Sequence, residues 1–111
     1  MEIDGVIIEL DNEGYLIEPS QWNREVAIEL ATKENLELND EHWIVLDLMR
    51  DFYKENGVAS DVRHIFKQLG VDLGISKKEA KAKLFSLFPY GYVQQACKIS
   101  GMRRPRGWST G

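Results

Sequence analysis

The spacing of apolar positions changes near Pro19, and the change divides the chain into a strand-like opening and a helical remainder. Residues 1–3 and 6–10 alternate apolar with polar side chains on either side of Asp4-Gly5. That dipeptide suits a two-residue hairpin, because glycine accepts the positive φ of a type I′ turn. A second turn, Asp11-Asn12-Glu13-Gly14, leads into the short apolar run Tyr15-Leu16-Ile17. Two or three short antiparallel strands are predicted, and a ribbon this small must pack against helices to persist.

After Pro19 the period becomes helical. Trp22, Val26, Ala27, Leu30 and Ala31 share one face, with Ser20 read as the N-cap. The next helix is the clearest. Asn39 or Asp40 caps it, Glu41 suits its positive end, and Gly57 stops it. Its apolar set, Trp43, Val45, Leu46, Met49, Phe52 and Tyr53, covers more than one face, as befits a central helix. A third helix is read over 60–69, with Val62, Ile65, Phe66 and Leu69 inward and Gly70 ending it. Ser76-Lys77-Lys78-Glu79 is a capping box that opens a fourth, running through Ala80, Leu84, Leu87 and Phe88 to Pro89. A fifth spans about 92–99. The last ten residues, MRRPRGWSTG, lack periodicity and predict a mobile arm. The expected fold is mainly α (α+β): a single-domain bundle of about five helices with a small N-terminal β-hairpin. The hairpin region covers 1–18, the helical core 20–100 and a flexible C-terminal arm 101–111.

Length and composition narrow the class. One hundred and eleven residues suffice for one core, and 43% hydrophobic with 29% charged residues is ordinary for a folded globule. One cysteine and three prolines exclude a disulfide scaffold and a collagen-like chain. No apolar run approaches the roughly 20 residues that span a bilayer, so membrane insertion is not expected. The opening MEIDG is acidic, unlike a signal or transit peptide, and a reduced, cytoplasmic location is the expectation.

The net charge of −4 conceals an asymmetry: residues 1–60 hold fifteen acids and four bases, residues 61–111 three acids and ten bases. A basic half can meet an acidic partner or nucleic acid, or the two halves can simply attract each other in the fold. Catalytic patterns are sparse. His42 and His64 lie in separate helices, with no HExxH or CxxC spacing, so neither a metal nor another cofactor is expected. His42 sits in a first turn, where capping or packing is the ordinary role. Asp47 and Asp51, beside Arg50, read as a solvated face. Cys97 is the one nucleophile. Lys98, Arg103, Arg104 and Arg106 are cations that favour its thiolate, whereas the nearby helix C-terminus opposes it. A structural thiol is the alternative. Two helices joined through 70–75, the second bearing Lys77, Lys78, Lys81 and Lys83, also have a helix-turn-helix outline, though the connection is long for one.

Five stretches carry a resemblance: DNEGYLIEPSQW (11–22), EHWIVLDLMRDFY (41–53), GVASDVRHIFKQLG (57–70), LFPYG (87–91) and QQACKISGMRRPRG (94–107). In this order and spacing the chain resembles the DsrC/TusE family, small sulfur-relay proteins that include the gamma subunit of dissimilatory sulfite reductase. The resemblance implies a compact helical domain with a small hairpin and a protruding C-terminal arm. It also implies sulfur carried as a persulfide, or as a trisulfide between two cysteines. Cys97 matches the cysteine of the last helix. Trp108 stands where the family places the cysteine of the arm, and Ser60 and Tyr92 stand at positions where proline is typical. With one thiol, a monomer cannot form the intramolecular disulfide or trisulfide.

The resemblance therefore implies a sulfur-relay or sulfur-metabolism accessory protein, at most a sulfurtransferase component. Cys97 would be the sulfur acceptor. Lys98, Arg103, Arg104, Arg106 and the apolar anchor Trp108 would dock to relay proteins or a sulfite-reductase-type complex. Two rivals stand beside it. One is a regulatory module on the same scaffold, binding DNA through Lys77, Lys78 and Lys81; the other is an inert structural subunit. Oligomeric state is left open.

Overall fold

In the computed structural model, which describes residues 1–104, strands β1 (Glu2–Ile3) and β2 (Val6–Ile7) pair antiparallel, Glu2 opposite Ile7 and Ile3 opposite Val6. Asp4 and Gly5 both take positive φ, 52° and 79°, as a type I′ turn requires. β2 is shorter than the alternation predicts. Leu10 turns away to bridge Leu16, closing a second hairpin about Asp11–Gly14. The Asp11 carboxylate fastens that turn by accepting from the Glu13 and Tyr15 amides at 2.9 and 3.0 Å.

Pro19 starts a single 3-10 turn, Pro19–Gln21, capped by Glu18, and Trp22 then extends the chain. Ser20 is consequently inside that turn. The N-cap of α1 (Arg24–Lys33) is Asn23, whose side chain accepts from the Val26 amide at 2.9 Å. Helix α2 (Asp40–Asn56) is capped as read: Asn39 and His42 form a reciprocal box, and Gly57 closes it at φ 72°.

Helix α3 (Val62–Leu73) runs one turn past its expected end. Gly70 is not a stop. It lies buried within the helix, where an added Cβ would sit 3.0 Å from the Ile75 carbonyl oxygen, so it permits the return of the chain. Gly74, at φ 67°, is the true cap. The N-cap is Asp61, one residue after the expected start. Helix α4 (Lys77–Leu87) opens on the predicted Ser76–Glu79 box. The last helical segment begins as a π-helical turn (Tyr92–Ala96) and tightens into α5 (Cys97–Ile99).

Val45, Leu46 and Met49 of α2 meet Ile65 and Leu69 of α3 and Ala80 and Leu84 of α4 in one core, while α1 packs on α5. The hairpins cover the same core through Ile8, Tyr15 and Leu16. α5 thereby lies between α1 and the hairpin region, and the chain leaves it at Met102, still fully buried.

Candidate functional site

Cys97 opens α5 directly after the π-helical turn, with its side chain completely buried (0% exposed). The wide turn carries Tyr92 inward. Its hydroxyl donates to the Ser60 carbonyl oxygen at 2.7 Å and also hydrogen-bonds the thiol. Ser60 and Tyr92, noted in the sequence at positions where proline is typical, thus meet beside the only thiol. Tyr15 closes another side: its hydroxyl donates to the Val93 carbonyl at 2.7 Å, and its own pKa is pushed up to about 12, chiefly by burial.

These surroundings favour the structural side of the two readings of Cys97. Burial pushes the Cys97 thiol from 9.0 up to about 12, against a smaller lowering from the Tyr92 hydrogen bond. The cations expected to assist point elsewhere. Lys98 Nζ lies 3.5 Å from Glu34 and 5.2 Å from the Tyr15 ring centre. Arg103 Nε donates to the Ile17 carbonyl at 3.2 Å, and Arg104 pairs with Glu13. Adjacency in sequence brings positive charge near the thiol, but each of these three cations has its own acceptor. The attraction between acidic and basic halves is realised here, and again where Lys83 meets Glu41 at 3.0 Å.

Lys98 and Arg104 line a shallow polar cleft of about 320 Å³ with Glu13, Tyr15, Glu34, Tyr90 and Gln94. Cys97 does not line it. Of the expected docking residues, the structure gathers Lys98, Arg103 and Arg104 at the root of the arm; Arg106 and Trp108 lie outside the described residues. Lys77, Lys78 and Lys81 are solvent-exposed on α4, away from this cleft, and form no ion pair among the described residues. The α3–α4 connection is three residues, 74–76, shorter than the sequence suggests because Gly70 stays helical.

His42 is a cap and packing residue. Its Nδ1 accepts from the Asn39 amide at 3.0 Å, its Nε2 donates to the Leu87 carbonyl at 2.7 Å, and its ring stands edge-on to Phe88. Asp47 pairs with Arg24 at 3.2 Å on the solvated face. Among the described residues no group of three or more His, Cys, Asp or Glu is placed to hold a metal ion, and no helix is long and apolar enough to cross a membrane.

Sequence reasoning missed the residues that hold α5 itself. Trp22 Nε1 donates to the Ile99 carbonyl at 2.9 Å. Arg50 donates to the carbonyls of Ser100 (3.1 Å) and Pro19 (3.3 Å), and lies over the Trp22 and Tyr53 rings. Gly101, at φ 79°, packs so closely on Trp22 that an added Cβ would fall 2.4 Å from its Cδ1. The only signal was Gly101 itself, a glycine just past a helix end.

The fold and this site define a small α+β domain with a buried thiol ahead of a basic C-terminal segment. A family model described as "DsrC like protein" matches residues 2–108. Sulfurtransferase TusE of Escherichia coli (strain K12) is 39% identical over 102 residues, covering 92% of this chain and 93% of that protein. A sulfurtransferase TusE homolog of Haemophilus influenzae is 37% identical over 105 residues, 95% of each chain. The oxidized gamma-subunit of dissimilatory sulfite reductase (DsrC) from Archaeoglobus fulgidus superposes with a TM-score of 0.85 at 31% identity, covering 96% of both chains. Allochromatium vinosum DsrC superposes at 0.82 with 39% identity, over 97% of this chain and 96% of that one. The chain belongs to the DsrC-like family. None of these relatives is described as binding nucleic acid, and the DNA-binding alternative has no support among them.

Proposed function

We propose that this protein serves sulfur relay of the TusE/DsrC type by docking to relay proteins or a sulfite-reductase-type complex, and that in its closed form it does not carry sulfur. The supporting observation is the state of the sole thiol. A persulfide forms when a thiolate attacks a donor sulfur, and Cys97 is buried, with burial pushing its thiol up to about 12 and so disfavouring the thiolate at neutral pH. Docking falls to the segment that follows it: Lys98, Arg103 and Arg104 at the root, then Arg106 and Trp108. Arginine and tryptophan are the side chains that most often dominate interface energetics. Cys97 accepts sulfur only if α5 opens.

Two measurements test this reading. Intact-mass spectrometry after incubation with a low-molecular-weight persulfide donor at neutral pH should show no added sulfur on the folded chain. Added in excess to a transfer reaction run by a cysteine-bearing TusE relative, the chain should slow transfer by competing for the partner, and its Cys97→Ser variant should compete equally. Rapid sulfur addition abolished by Cys97→Ser, or no competition at any excess, refutes it.

A further inference from the structure

The guanidinium of Arg50 is half-buried at the end of α5 and has no carboxylate partner among the described residues. Its fork instead joins two carbonyls from separate parts of the chain, Ser100 after α5 and Pro19 before α1. The Trp22 and Tyr53 rings cover it at 4.8 and 5.4 Å. Trp22 adds its own bond to the neighbouring Ile99 carbonyl, and the close Gly101–Trp22 approach fixes the chain where it turns outward. The carbonyls that a helix end leaves without intrahelical partners are thus satisfied by two side chains from other elements. A cation there also complements the negative end of the helix dipole.

Gly101 and Met102 are still buried beyond Ser100; past them the described chain is tied by the exposed contacts Arg103–Ile17 and Arg104–Glu13, of the kind that contribute little. Directly beneath lies Cys97, whose carbonyl accepts from the Ser100 hydroxyl and the Met102 amide, both at 3.0 Å. Anything that moves residues 99–102 therefore moves the backbone around the thiol.

We infer that Arg50, assisted by Trp22, is a positioning residue that latches the end of α5, so that the Cys97 thiol is reached by local release of residues 97–104 and not by unfolding of the domain. The latch sets both the direction in which the C-terminal segment leaves and the closure over the sulfur. A partner that pulls on that segment works against two carbonyl contacts of one side chain, while the α2–α3–α4 core stays folded. The inference concerns access to the thiol and holds whether the cargo is sulfur or not.

The test is alkylation of Cys97 in the native full-length chain by iodoacetamide, followed by mass across a urea series. In the wild type, labelling at low urea should depend only weakly on urea and merge with the steep global limb near the unfolding midpoint. Arg50→Gln should speed low-urea labelling by about tenfold or more, in step with its change in the global unfolding constant and with the weak urea dependence kept, since the charged double contact is lost in the released and the unfolded state alike. Arg50→Lys, which keeps charge but not the fork, should fall between, and Trp22→Phe should show a smaller gain. If wild-type labelling follows global unfolding at every urea concentration, or if Arg50→Gln lowers global stability while leaving low-urea labelling unchanged, the latch is refuted. The wild-type series decides the matter even if Arg50→Gln does not fold.

Discussion

Raising the pH probes the sealed thiol directly, because a proton kept in the folded state and lost in the unfolded one lowers stability as pH climbs. Cys97 titrates near 9.0 when exposed and about 12 when folded. Its raised folded pKa contributes stability that is fully present below pH 9 and is lost as pH rises through 12. Each such proton costs about 1.4 kcal/mol per pH unit within that window, so the thiol alone removes about 2 kcal/mol between about pH 8 and about pH 10.5. Tyr15 and Tyr92, both raised by burial, add to the fall above pH 10. A domain of this kind has roughly 5–15 kcal/mol in all, so it should remain folded yet measurably weakened at about pH 10.5. Urea unfolding followed by circular dichroism at a series of pH values measures the effect for wild type and for Cys97→Ala. The variant lacks the titrating group, so the difference between the two proteins should shrink by about 2 kcal/mol across that range, in favour of the variant. Thiolate absorbance in the folded wild type should be absent until above pH 10. Parallel stability curves, or a folded-state thiolate with a midpoint at or below 9, would refute the closed, protonated thiol and with it the argument against carriage.

Gly101→Ala combines a left-handed backbone with a Cβ 2.4 Å from Trp22, and should cost about 3 kcal/mol or more in urea unfolding. Gly57→Ala shares the positive φ of 72° but meets open space, so only the backbone term of about 1 kcal/mol should appear. His42→Phe keeps an aromatic ring against Phe88 but strands the Asn39 amide and the Leu87 carbonyl, lowering stability by about 2–4 kcal/mol in thermal or urea unfolding. Replacing exposed Lys77, Lys78 and Lys81 by Gln should shift stability by no more than about 0.5 kcal/mol each, and leave competition for relay partners unchanged.

Local chemistry made most of the fold readable. Asn39, Ser76 with Glu79, Gly57 and Asp4-Gly5 act through hydrogen bonds or φ values within a few residues of themselves, so their types in sequence carry the structure. The misread residues are those whose role depends on a distant segment. Gly70 looked like a helix stop, but the Ile75 carbonyl presses on it and demands a missing side chain. Ser20 looked like a cap, yet Pro19 commits it to a separate turn that frees Trp22 to reach α5, 77 positions away. The cations near Cys97 in sequence left its state open between thiolate and structural thiol. Where Lys98, Arg103 and Arg104 point is set by Glu34, Ile17 and Glu13, all in the first third of the chain, and no spacing rule contains that.

The same geometry explains how the core accommodates a closed thiol. A small apolar thiol within a core is then simply well packed, and burying Tyr92 against it adds contact area at no chemical loss. The polar cost of that burial is met, since the Tyr92 hydroxyl has both the Ser60 carbonyl and the thiol as partners. Tyr92 and Ser60 thus help to close the interior over the sulfur, while Lys98, Arg103 and Arg104 place positive charge at the end of the described chain.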